Sequence, residues 1–275
     1  MMAETEALPY DASTNLGDLE IELQRLKAQA IMGWPKESRN LKWFGLRDGM
    51  SVLEVGSGPG FITEQLLDML PSSRVTCLDL DPVLLERAKG YLGDKAERVD
   101  FVQASIMESG LPDNTFDFAY ARLVFQHLPD RVGAAREILR LLKPGGKLVI
   151  LDVDDDLNHI YDPPDPPEVE AISERDKEEH RSKGGDRLVG RKLWRIMSAA
   201  GFQDLDLELI IFHSDSVGLD ILLGPFNQET LQVQVEAGLL SQQEADALWN
   251  AHTAFLNSEY PYMALVAFMA CGTKP

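Results

Sequence analysis

Residues 52–60 read Val-Leu-Glu-Val-Gly-Ser-Gly-Pro-Gly, and this stretch decides the class of fold. A short apolar run carries one acid, Glu54, and then breaks into three glycines before a Leu-rich segment that is predicted to be helical. An apolar run bounded by glycines is typical of a buried strand that enters a tight turn. Glycine adopts left-handed backbone angles and lets a ligand come close to the chain. A small-residue loop that leads into a helix N-terminus predicts a nucleotide-like binding site.

The spacing of these glycines excludes two common nucleotide-binding loops. A dinucleotide fingerprint, G-x-G-x-x-G, needs its third glycine where this chain has Phe61, and Gly60 comes one residue early. A P-loop needs a Lys directly after its last glycine, and none follows here. The loop alone is compatible with a ligand site or with a simple turn, so the rest of the chain has to decide between them.

Strand-like and helix-like segments alternate from residue 51 to residue 153. This alternation indicates parallel strands with covered faces, which bind ligands at the carboxyl ends of the strands. We therefore predict an α/β protein with a doubly wound, mostly parallel, seven-stranded sheet, in which Lys143–Gly146 forms a turn before the fifth strand. The predicted strands are Val52–Val55, Arg74–Leu78, Val99–Gln103, Phe116–Tyr120, Lys147–Val153, Leu205–Phe212 and Met263–Ala270.

The amino-acid composition argues against two classes of partner, nucleic acid and membrane. The net charge of −19 argues against nucleic acid, because proteins that bind it carry clustered Lys and Arg. No run of about 18 apolar residues occurs, which predicts no membrane span, and the acidic segment Met1–Tyr10 does not have the pattern of a signal peptide. Cys77 and Cys271 lie in apolar runs, which is typical of buried, reduced thiols. We therefore expect a cytoplasmic protein.

The order Glu-Val-Gly-Ser-Gly-Pro-Gly over residues 54–60 resembles the first motif of class I S-adenosylmethionine-dependent methyltransferases. Asp79 follows 25 residues after Glu54, at the end of the second strand. Further segments match, in order, a subfamily that resembles the ubiquinone/menaquinone biosynthesis methyltransferases. They are Leu111–Phe118, Ala121-Arg122, His127–Asp130 and Leu142–Lys147. The resemblance is good over residues 50–153 and looser through Ala200–Phe202 and the last strand. It implies a Rossmann-like core, S-adenosylmethionine as methyl donor and S-adenosylhomocysteine as product.

The resemblance also implies which residues bind the cofactor. The glycine loop wraps its methionine part, and Glu54 orients the loop and reaches the amino group through water. Asp79 accepts both ribose hydroxyls and Leu80 packs on the adenine, whereas Asp81 is assigned to the cap of the next helix. Many relatives carry Asp where this chain has Ser105, which can form a hydrogen bond without a charge. The predicted cofactor-binding residues are Tyr10, Gln29, Glu54, Gly56, Ser57, Gly58, Asp79, Leu80, Ala104, Ser105, Ile106, Ala121 and Arg122.

The same interpretation divides the chain into four segments. The helix predicted at Leu16–Trp34 resembles the N-terminal lids of small-molecule methyltransferases, which close over the cofactor. A capping box at Ser241-x-x-Glu244 predicts a helix in an insertion before the last strand. The segments are a helical lid (1–45), the S-adenosylmethionine-binding core (46–153), a polar excursion or lid (154–187) and the C-terminal half of the sheet (188–275) with a helical insertion (215–260).

Methyl transfer is an in-line displacement, for which a protein mainly aligns the reactants and excludes water. His127 follows the fourth strand and is a candidate general base, although the same position can simply pack or cap the next turn. The acids Asp152 and Asp154–Asp156 could hold Mg²⁺, but we interpret them as a solvated loop and predict no metal. Four other histidines show no metal-ligand spacing. They are His159, His180, His213 and His252.

The sequence says less about the methyl acceptor than about the cofactor. Aromatic side chains of the insertion either line an apolar substrate pocket or form a core, because they recur at helical spacing. They are Phe226, Trp249, His252, Phe255, Tyr260 and Tyr262. We predict methyl transfer to an oxygen, nitrogen or carbon atom of a small, apolar or aromatic metabolite, as in secondary metabolism. A protein methyltransferase and a non-catalytic, regulatory cofactor-binding protein are the alternatives, and a homodimer is compatible with the sequence.

Overall fold

The computed structural model describes residues 19–157, 160–224 and 226–275. The strands in this part of the chain are β1 (Ser51–Val55), β2 (Arg74–Asp79), β3 (Val99–Gln103), β4 (Phe116–Arg122), β5 (Leu142–Val153), β6 (Ile160–Asp162), β7 (Gln203–His213) and β8 (Tyr262–Thr273). The α-helices are α1 (Leu19–Trp43), α2 (Phe61–Met69), α3 (Pro82–Leu92), α4 (Arg131–Leu141), α5 (Pro167–Ser182), α6 (Leu193–Ala200), α7 (Ser214–Val217), α8 (Leu219–Leu223), α9 (Gln228–Glu236) and α10 (Gln242–Leu256).

The described residues divide into two compact units. The larger unit comprises Gly33–Asp154, Leu188–Ile210 and Val266–Pro275. The smaller unit comprises the described residues up to Met32 together with Asp155–Arg187 and Ile211–Leu265.

The sheet of the larger unit confirms the predicted doubly wound, Rossmann-like α/β class. Its strands lie in the order β3-β2-β1-β4-β5-β8, and β7 pairs with β8. All neighbours from β3 to β5 run parallel, whereas β5 and β8 run antiparallel. The apolar runs in β1 and β4 follow from this topology, because a strand between parallel neighbours is covered on both faces. Leu53 and Ala121 pack in one cluster with Ile138 of α4 and Met197 of α6.

Helix ends in this unit follow the sequence signals. Asp81 accepts hydrogen bonds from the backbone N–H groups of Val83 and Leu84, and Pro82 occupies the first helical position, as predicted. Asp130 caps α4 through the N–H of Gly133. Gly201 ends α6 with a left-handed φ of 108°.

The predicted turn at Lys143–Gly146 is corrected by the structure. These residues belong to β5, in which Leu142 pairs with Phe116 and Lys147 already pairs with Phe118. The four residues between Leu142 and Lys147 therefore form an irregularity in the strand instead of a separate turn.

The smaller unit has a helical core of its own. Ile172 of α5, Leu231 of α9 and Ala245 of α10 are buried together, and Phe226 and Trp249 pack against them. The capping box of Ser241 and Glu244 opens α10 as predicted. Two of the aromatic residues considered for a substrate pocket thus belong to this core, whereas Tyr260 is 81% exposed.

A short strand in the smaller unit was not among the seven predicted strands. β6 has three residues and pairs antiparallel with the first residues of β8, with Ile160 opposite Ala264. It lies in the polar excursion, where no alternating apolar pattern indicates a strand. None of the described helices combines the length and the apolar character of a membrane-spanning segment.

Candidate functional site

The glycine loop lies at the carboxyl end of β1, between this strand and α2. Gly56, Gly58 and Gly60 adopt left-handed φ angles of 65°, 52° and 80°. The N–H of Gly56 donates to the Leu78 carbonyl at 2.7 Å, which fastens the loop to the neighbouring strand β2. The sequence prediction of a strand that enters a tight glycine turn is therefore confirmed.

The glycines have different reasons for lacking a side chain. A Cβ at Gly56 would lie 2.4 Å from Cγ2 of Val124, and one at Gly60 would lie 3.0 Å from Cβ of Ala88. Among the described residues, no atom lies within 4 Å of a Cβ placed at Gly58. Packing thus excludes a side chain at Gly56 and leaves little room for one at Gly60, whereas Gly58 borders open space among the described residues.

Asp79 ends β2 and holds the loop from the other side. Its Oδ2 accepts from the N–H of Gly58 at 2.7 Å, and its Oδ1 accepts from the N–H of Asp81 at 2.9 Å. Each oxygen keeps a second lone pair, so the carboxylate can still accept two hydroxyl groups. Burial raises the pKa of Asp79, and backbone hydrogen bonds from Asp81 and Gly58 oppose that shift. The next residue, Leu80, is 43% exposed, which leaves an apolar side chain beside this carboxylate.

The acid before the loop is buried and forms a polar cluster below it. Glu54 is 3% exposed, and its Oε2 accepts from the Thr63 hydroxyl at 2.7 Å. The same hydroxyl lies 3.2 Å from the Cys77 sulfur. Burial is the main cause that raises the pKa of Glu54 to about 8, and the charge of Asp79 adds to it. The Ser57 hydroxyl is also buried and has no hydrogen-bond partner of good geometry among the described residues.

The loop after β3 lies next to Asp79 through its backbone. The N–H of Ala104 donates to the Asp79 carbonyl at 3.1 Å. Ser105 accepts from the N–H of Met107 at 3.1 Å through its hydroxyl oxygen, and Ile106 is 4% exposed. The Ser105 hydroxyl thus stabilises its own turn and retains its proton as a donor.

Arg122, at the end of β4, is held by an acid of α1. Its Nε and Nη2 donate to the carboxylate of Glu37 at 2.9 and 3.0 Å, and the Tyr120 hydroxyl donates to the same carboxylate at 2.9 Å. A Cβ at Gly33 would lie 1.9 Å from Oε1 of Glu37, so glycine provides the room for this pair. Ala121, between the two β4 residues, is fully buried.

Residues 53–150, which contain every part of this site except Gly33 and Glu37, match a family model described as a methyltransferase domain. Residues 53–150 are a methyltransferase domain. The predicted resemblance of this domain to the subfamily of the ubiquinone/menaquinone biosynthesis methyltransferases is confirmed.

Curated relatives match less than half of this chain. The ubiquinone/menaquinone biosynthesis C-methyltransferase UbiE of Hahella chejuensis is 32% identical over 119 residues, which are 42% of this chain and 48% of that protein. The sterol 24-C-methyltransferase erg6 of Aspergillus fumigatus is 36% identical over 104 residues, 37% of this chain and 27% of that protein. The chain thus spans about half or less of the length of these relatives.

Solved structures share the fold over a longer range. The phosphoethanolamine N-methyltransferase 2 of Haemonchus contortus, determined with S-adenosyl-L-methionine, superimposes with a TM-score of 0.56 at 23% identity. The match covers 88% of this chain and 53% of that protein. The YcgJ protein of Bacillus subtilis matches with a TM-score of 0.52 at 19% identity, over 86% of this chain and 97% of that protein. The methyltransferase domain therefore has the fold of class I S-adenosylmethionine-dependent methyltransferases.

The candidate base of the methyltransferase domain lies on a single turn after β4. His127 ends a 3-10 helix, Phe125–His127, and its N–H donates to the Val124 carbonyl at 2.9 Å. The N–H of Gln126 donates to Oδ2 of Asp152 at 3.1 Å. The fully buried Asp152 thus fixes this turn to the end of β5.

Of the four acids that the sequence predicted to form a solvated loop, Asp156 is exposed, whereas Asp152, Asp154 and Asp155 are buried. In the larger unit, Asp154 is fully buried and pairs with the Arg191 guanidinium. In the smaller unit, Asp155 is buried and pairs with Arg187 at 2.7 Å. Partner cations lie more than 30 residues along the chain, so local sequence gives no sign of them. The described residues contain no cluster of His, Cys, Asp or Glu that could hold a metal ion.

Two predicted cofactor residues belong to the N-terminal lid. Tyr10 lies outside the described residues. Gln29 lies on α1, in the part of this helix that belongs to the smaller unit. Both stay predictions, as do the cofactor contacts of the residues in the larger unit.

Sequence reasoning missed Glu37 and Gly33. Both are buried on α1, on one stripe with Ala30 and Leu41, whose spacing of three and four residues is helical. An acid within the apolar stripe of an amphipathic helix is the signal that could have found Glu37, since a buried carboxylate requires a partner.

Replacing Glu54 with glutamine is expected to remove a pH dependence from the stability of the ligand-free protein. The folded carboxyl keeps its proton up to about pH 8, whereas the unfolded chain has the ordinary value of 4.5. The free energy of unfolding of the wild type therefore falls as pH rises through this window. The pKa of Glu54 is about 8 in the folded protein and 4.5 in the unfolded chain. At about 1.4 kcal/mol per pKa unit, the free energy of unfolding falls by at most on the order of 5 kcal/mol.

Urea unfolding at about pH 5 and about pH 9 measures this effect. The stability of Glu54→Gln relative to wild type should be several kcal/mol greater at the higher pH, an order-of-magnitude figure from the same linkage. Glu86→Gln, on the exposed surface of α3, is the control that should show no such change. A constant difference between Glu54→Gln and wild type at the two pH values would contradict the assignment.

Proposed function

We propose that this protein is an S-adenosylmethionine-dependent methyltransferase that acts on a small, apolar or aromatic metabolite. The observation that carries the proposal is the left-handed glycine loop whose Gly58 donates to Asp79 and borders open space. This arrangement places unused carboxylate lone pairs and a side-chain-free backbone at the carboxyl ends of β1 and β2. Ligands bind at that edge in open α/β sheets.

The residues of the larger unit fit this cofactor. Asp79 would hold the ribose hydroxyls, and the exposed Leu80 would cover one face of the adenine. The buried Ser57 hydroxyl and the backbone of the glycine loop would hold the methionine part, with Glu54 beneath them. Ala104, Ser105 and Ile106 would border the adenine edge. Ala121 and Arg122 would border the methionine end, and Tyr10 and Gln29 would belong to the lid. When bound, S-adenosylmethionine supplies a methyl group that is activated by its sulfonium charge.

The protein itself would align the two reactants and accept the proton of the acceptor. Holding two reactants in line can lower the barrier by roughly 7–11 kcal/mol, so methyl transfer needs few chemical groups from the protein. A phenol or alcohol acceptor also needs a base, and His127 is the candidate. Asp152 supports this role indirectly, because it fixes the turn that carries His127.

The names of the relatives favour a carbon acceptor over oxygen or nitrogen. UbiE and the sterol methyltransferase are both C-methyltransferases by name, although the structural match from Haemonchus contortus is named an N-methyltransferase. The net charge of −19 supports the absence of a nucleic-acid partner. Two buried, unpaired cysteines support a reducing, cytoplasmic location. A homodimer is compatible with these features, and light scattering of the purified protein decides it.

The proposal is tested with labelled S-adenosylmethionine. Calorimetry should give a dissociation constant in the micromolar range, about −8 kcal/mol. Incubation with a small-molecule extract, followed by mass spectrometry, should then yield a product heavier than its precursor by one labelled methyl in place of hydrogen. Binding without a product would favour the non-catalytic alternative, and label in protein would favour a protein methyltransferase. Absence of binding would contradict the proposed function itself.

A further inference from the structure

Three hydrogen-bonded side chains lie beneath the glycine loop, and two of them have no part in the proposed contacts with the cofactor. Thr63, in the first turn of α2, donates its hydroxyl proton to Oε2 of Glu54 at 2.7 Å. The same hydroxyl oxygen lies 3.2 Å from the Cys77 sulfur. Thr63 and Cys77 are fully buried, and Glu54 is 3% exposed. Burying a polar group costs free energy unless it finds a partner, so the three groups stabilise one another.

The three side chains come from three elements of the larger unit. In the parallel register, Glu54 of β1 is the partner of Cys77 of β2. Paired residues of neighbouring strands point to the same face of a sheet. α2 brings Thr63 onto that face, where it reaches both side chains. The place of the Thr63 hydroxyl is thus set by the sheet and by a helix, which hold it more rigidly than a loop would.

The hydrogen bonds of the three groups have a definite direction. A hydroxyl group has one proton to give and free lone pairs with which to accept. Because Thr63 gives its proton to Glu54, the Cys77 thiol is the donor to the hydroxyl oxygen. Burial raises the pKa of the Cys77 thiol, which therefore keeps its proton. A threonine hydroxyl in a helix can otherwise turn back to a carbonyl of the preceding turn, and the bond from Cys77 opposes that rotation.

Thr63 differs from the other described groups that act on the Glu54 carboxyl. Asp79 and Arg122 act on it through their charges, whereas Thr63 binds one of its oxygens directly. A charge at a distance sets no orientation, but a hydrogen bond requires a definite distance and angle. Among the described residues, Thr63 is therefore the group that fixes how the Glu54 carboxyl is turned.

We propose that Thr63 is a positioning residue for cofactor binding, because its hydroxyl, supported by the Cys77 thiol, holds one oxygen of Glu54 and directs the other toward the amino group of the bound cofactor. This inference rests on the proposed function. The methionine part of the cofactor carries a protonated amino group, and Glu54 is the acid beneath the loop that would hold this part. A carboxyl that is already oriented does not have to be ordered by the ligand, which saves binding free energy.

The test compares two ligands that differ in the amino group alone. They are S-adenosylhomocysteine and its deamino analogue, which has hydrogen in that place. The wild type should bind S-adenosylhomocysteine at least about 30-fold more tightly than the analogue, which corresponds to about 2 kcal/mol. Thr63→Val keeps the shape of the side chain and removes the hydroxyl. We expect this variant to lower the ratio of the two dissociation constants at least about fivefold, because charge-assisted hydrogen bonds depend on geometry. Calorimetry measures both constants.

Three further variants separate positioning from stability. Thr63→Ser retains the hydroxyl and should keep the ratio within about twofold of the wild type. Thr76→Val makes the same change next to Cys77 on the opposite face of β2, and should leave the ratio unaltered. Thr63→Val in a Glu54→Gln background should have no further effect on the ratio, because the two residues act as one unit. Thr63→Ala replaces Thr63→Val if the valine variant does not fold.

A merely structural role of Thr63 predicts a different result. Urea unfolding would then show a loss of stability in Thr63→Val, while the affinities for both ligands would change equally. Such an unchanged ratio overturns the inference, and so does a fall in Thr63→Ser as large as that in Thr63→Val. A wild type that binds both ligands with equal affinity overturns the inference and leaves the proposed function intact. A wild type that binds neither ligand overturns the proposed function, and the role of Thr63 with it.

Discussion

Replacing Asp79 with alanine is expected to weaken the binding of S-adenosylmethionine at least about 100-fold, which corresponds to about 2.7 kcal/mol. The variant removes the acceptors for two backbone N–H groups, those of Gly58 and Asp81. It also removes the lone pairs that the ribose hydroxyls would use. Hydrogen bonds to a charged group contribute about 1.5–3 kcal/mol each, so losing two of them to a ligand exceeds that threshold. Calorimetry on the purified variant measures the change.

The neighbouring acid Asp81 is the matched control for this experiment. It caps α3 through two backbone N–H groups and lies outside the proposed contact with the cofactor. Asp81→Ala should cost about 1 kcal/mol of stability, the usual value for a lost N-cap, and should leave the dissociation constant within about threefold, under 1 kcal/mol. Unaltered binding in Asp79→Ala, or an equal loss in both variants, would refute the assignment of the ribose to Asp79.

Replacing Gly56 with alanine should both destabilise the protein and abolish cofactor binding. The residue has a φ of 65°, which costs roughly 1–2 kcal/mol with a Cβ present. The new Cβ would lie 2.4 Å from Cγ2 of Val124, and overpacking of this kind costs about 1–3 kcal/mol. Val124 is β-branched and has little rotamer freedom with which to yield. We expect a total loss on the order of 2–5 kcal/mol, measured by urea unfolding.

Gly58→Ala separates the two causes. Its φ of 52° is equally left-handed, but the added Cβ meets no atom of the described part of the chain within 4 Å. This variant should lose only the backbone term, roughly 1–2 kcal/mol, yet it should still bind the cofactor poorly because the methyl group enters the open space beside Asp79. Equal stability losses in Gly56→Ala and Gly58→Ala would show that Val124 accommodates the extra carbon.

Local sequence signals made the methyltransferase core predictable. The glycine loop, the Asp81-Pro82 cap and the bounds of β3 depend on residues close together in the chain, so propensity and capping chemistry predict them directly. The capping box at Ser241 is a further case. The resemblance then predicted the whole methyltransferase fold, because the motifs of that family occur in the same order between residues 50 and 153.

The missed features depend on contacts between distant parts of the chain. Glu37 meets Arg122 across 85 residues, and Asp154 meets Arg191 across 37. The run of acids around Asp154 contains no local pattern that distinguishes a buried, paired acid from a solvated one, so the prediction of a solvated loop was wrong for Asp154 and Asp155. The irregularity in β5 was not predicted for a related reason. Lys143–Gly146 has the composition of a turn, and the register of β5 in this region depends on its pairing with β4.

The buried pair of Asp155 and Arg187 has a consequence for how this chain could change over evolutionary time. The two residues share both a salt bridge at 2.7 Å and a backbone hydrogen bond at 2.9 Å, from the N–H of Asp155 to the Arg187 carbonyl. They thus pin together the two ends of the segment that they enclose. Once its ends are closed, a segment can vary in length at little entropic cost, since each doubling costs only about 0.6 kcal/mol. Length changes in the loops of this segment should therefore cost little, whereas Ile172 of α5 has to keep its place in the helical core of the smaller unit.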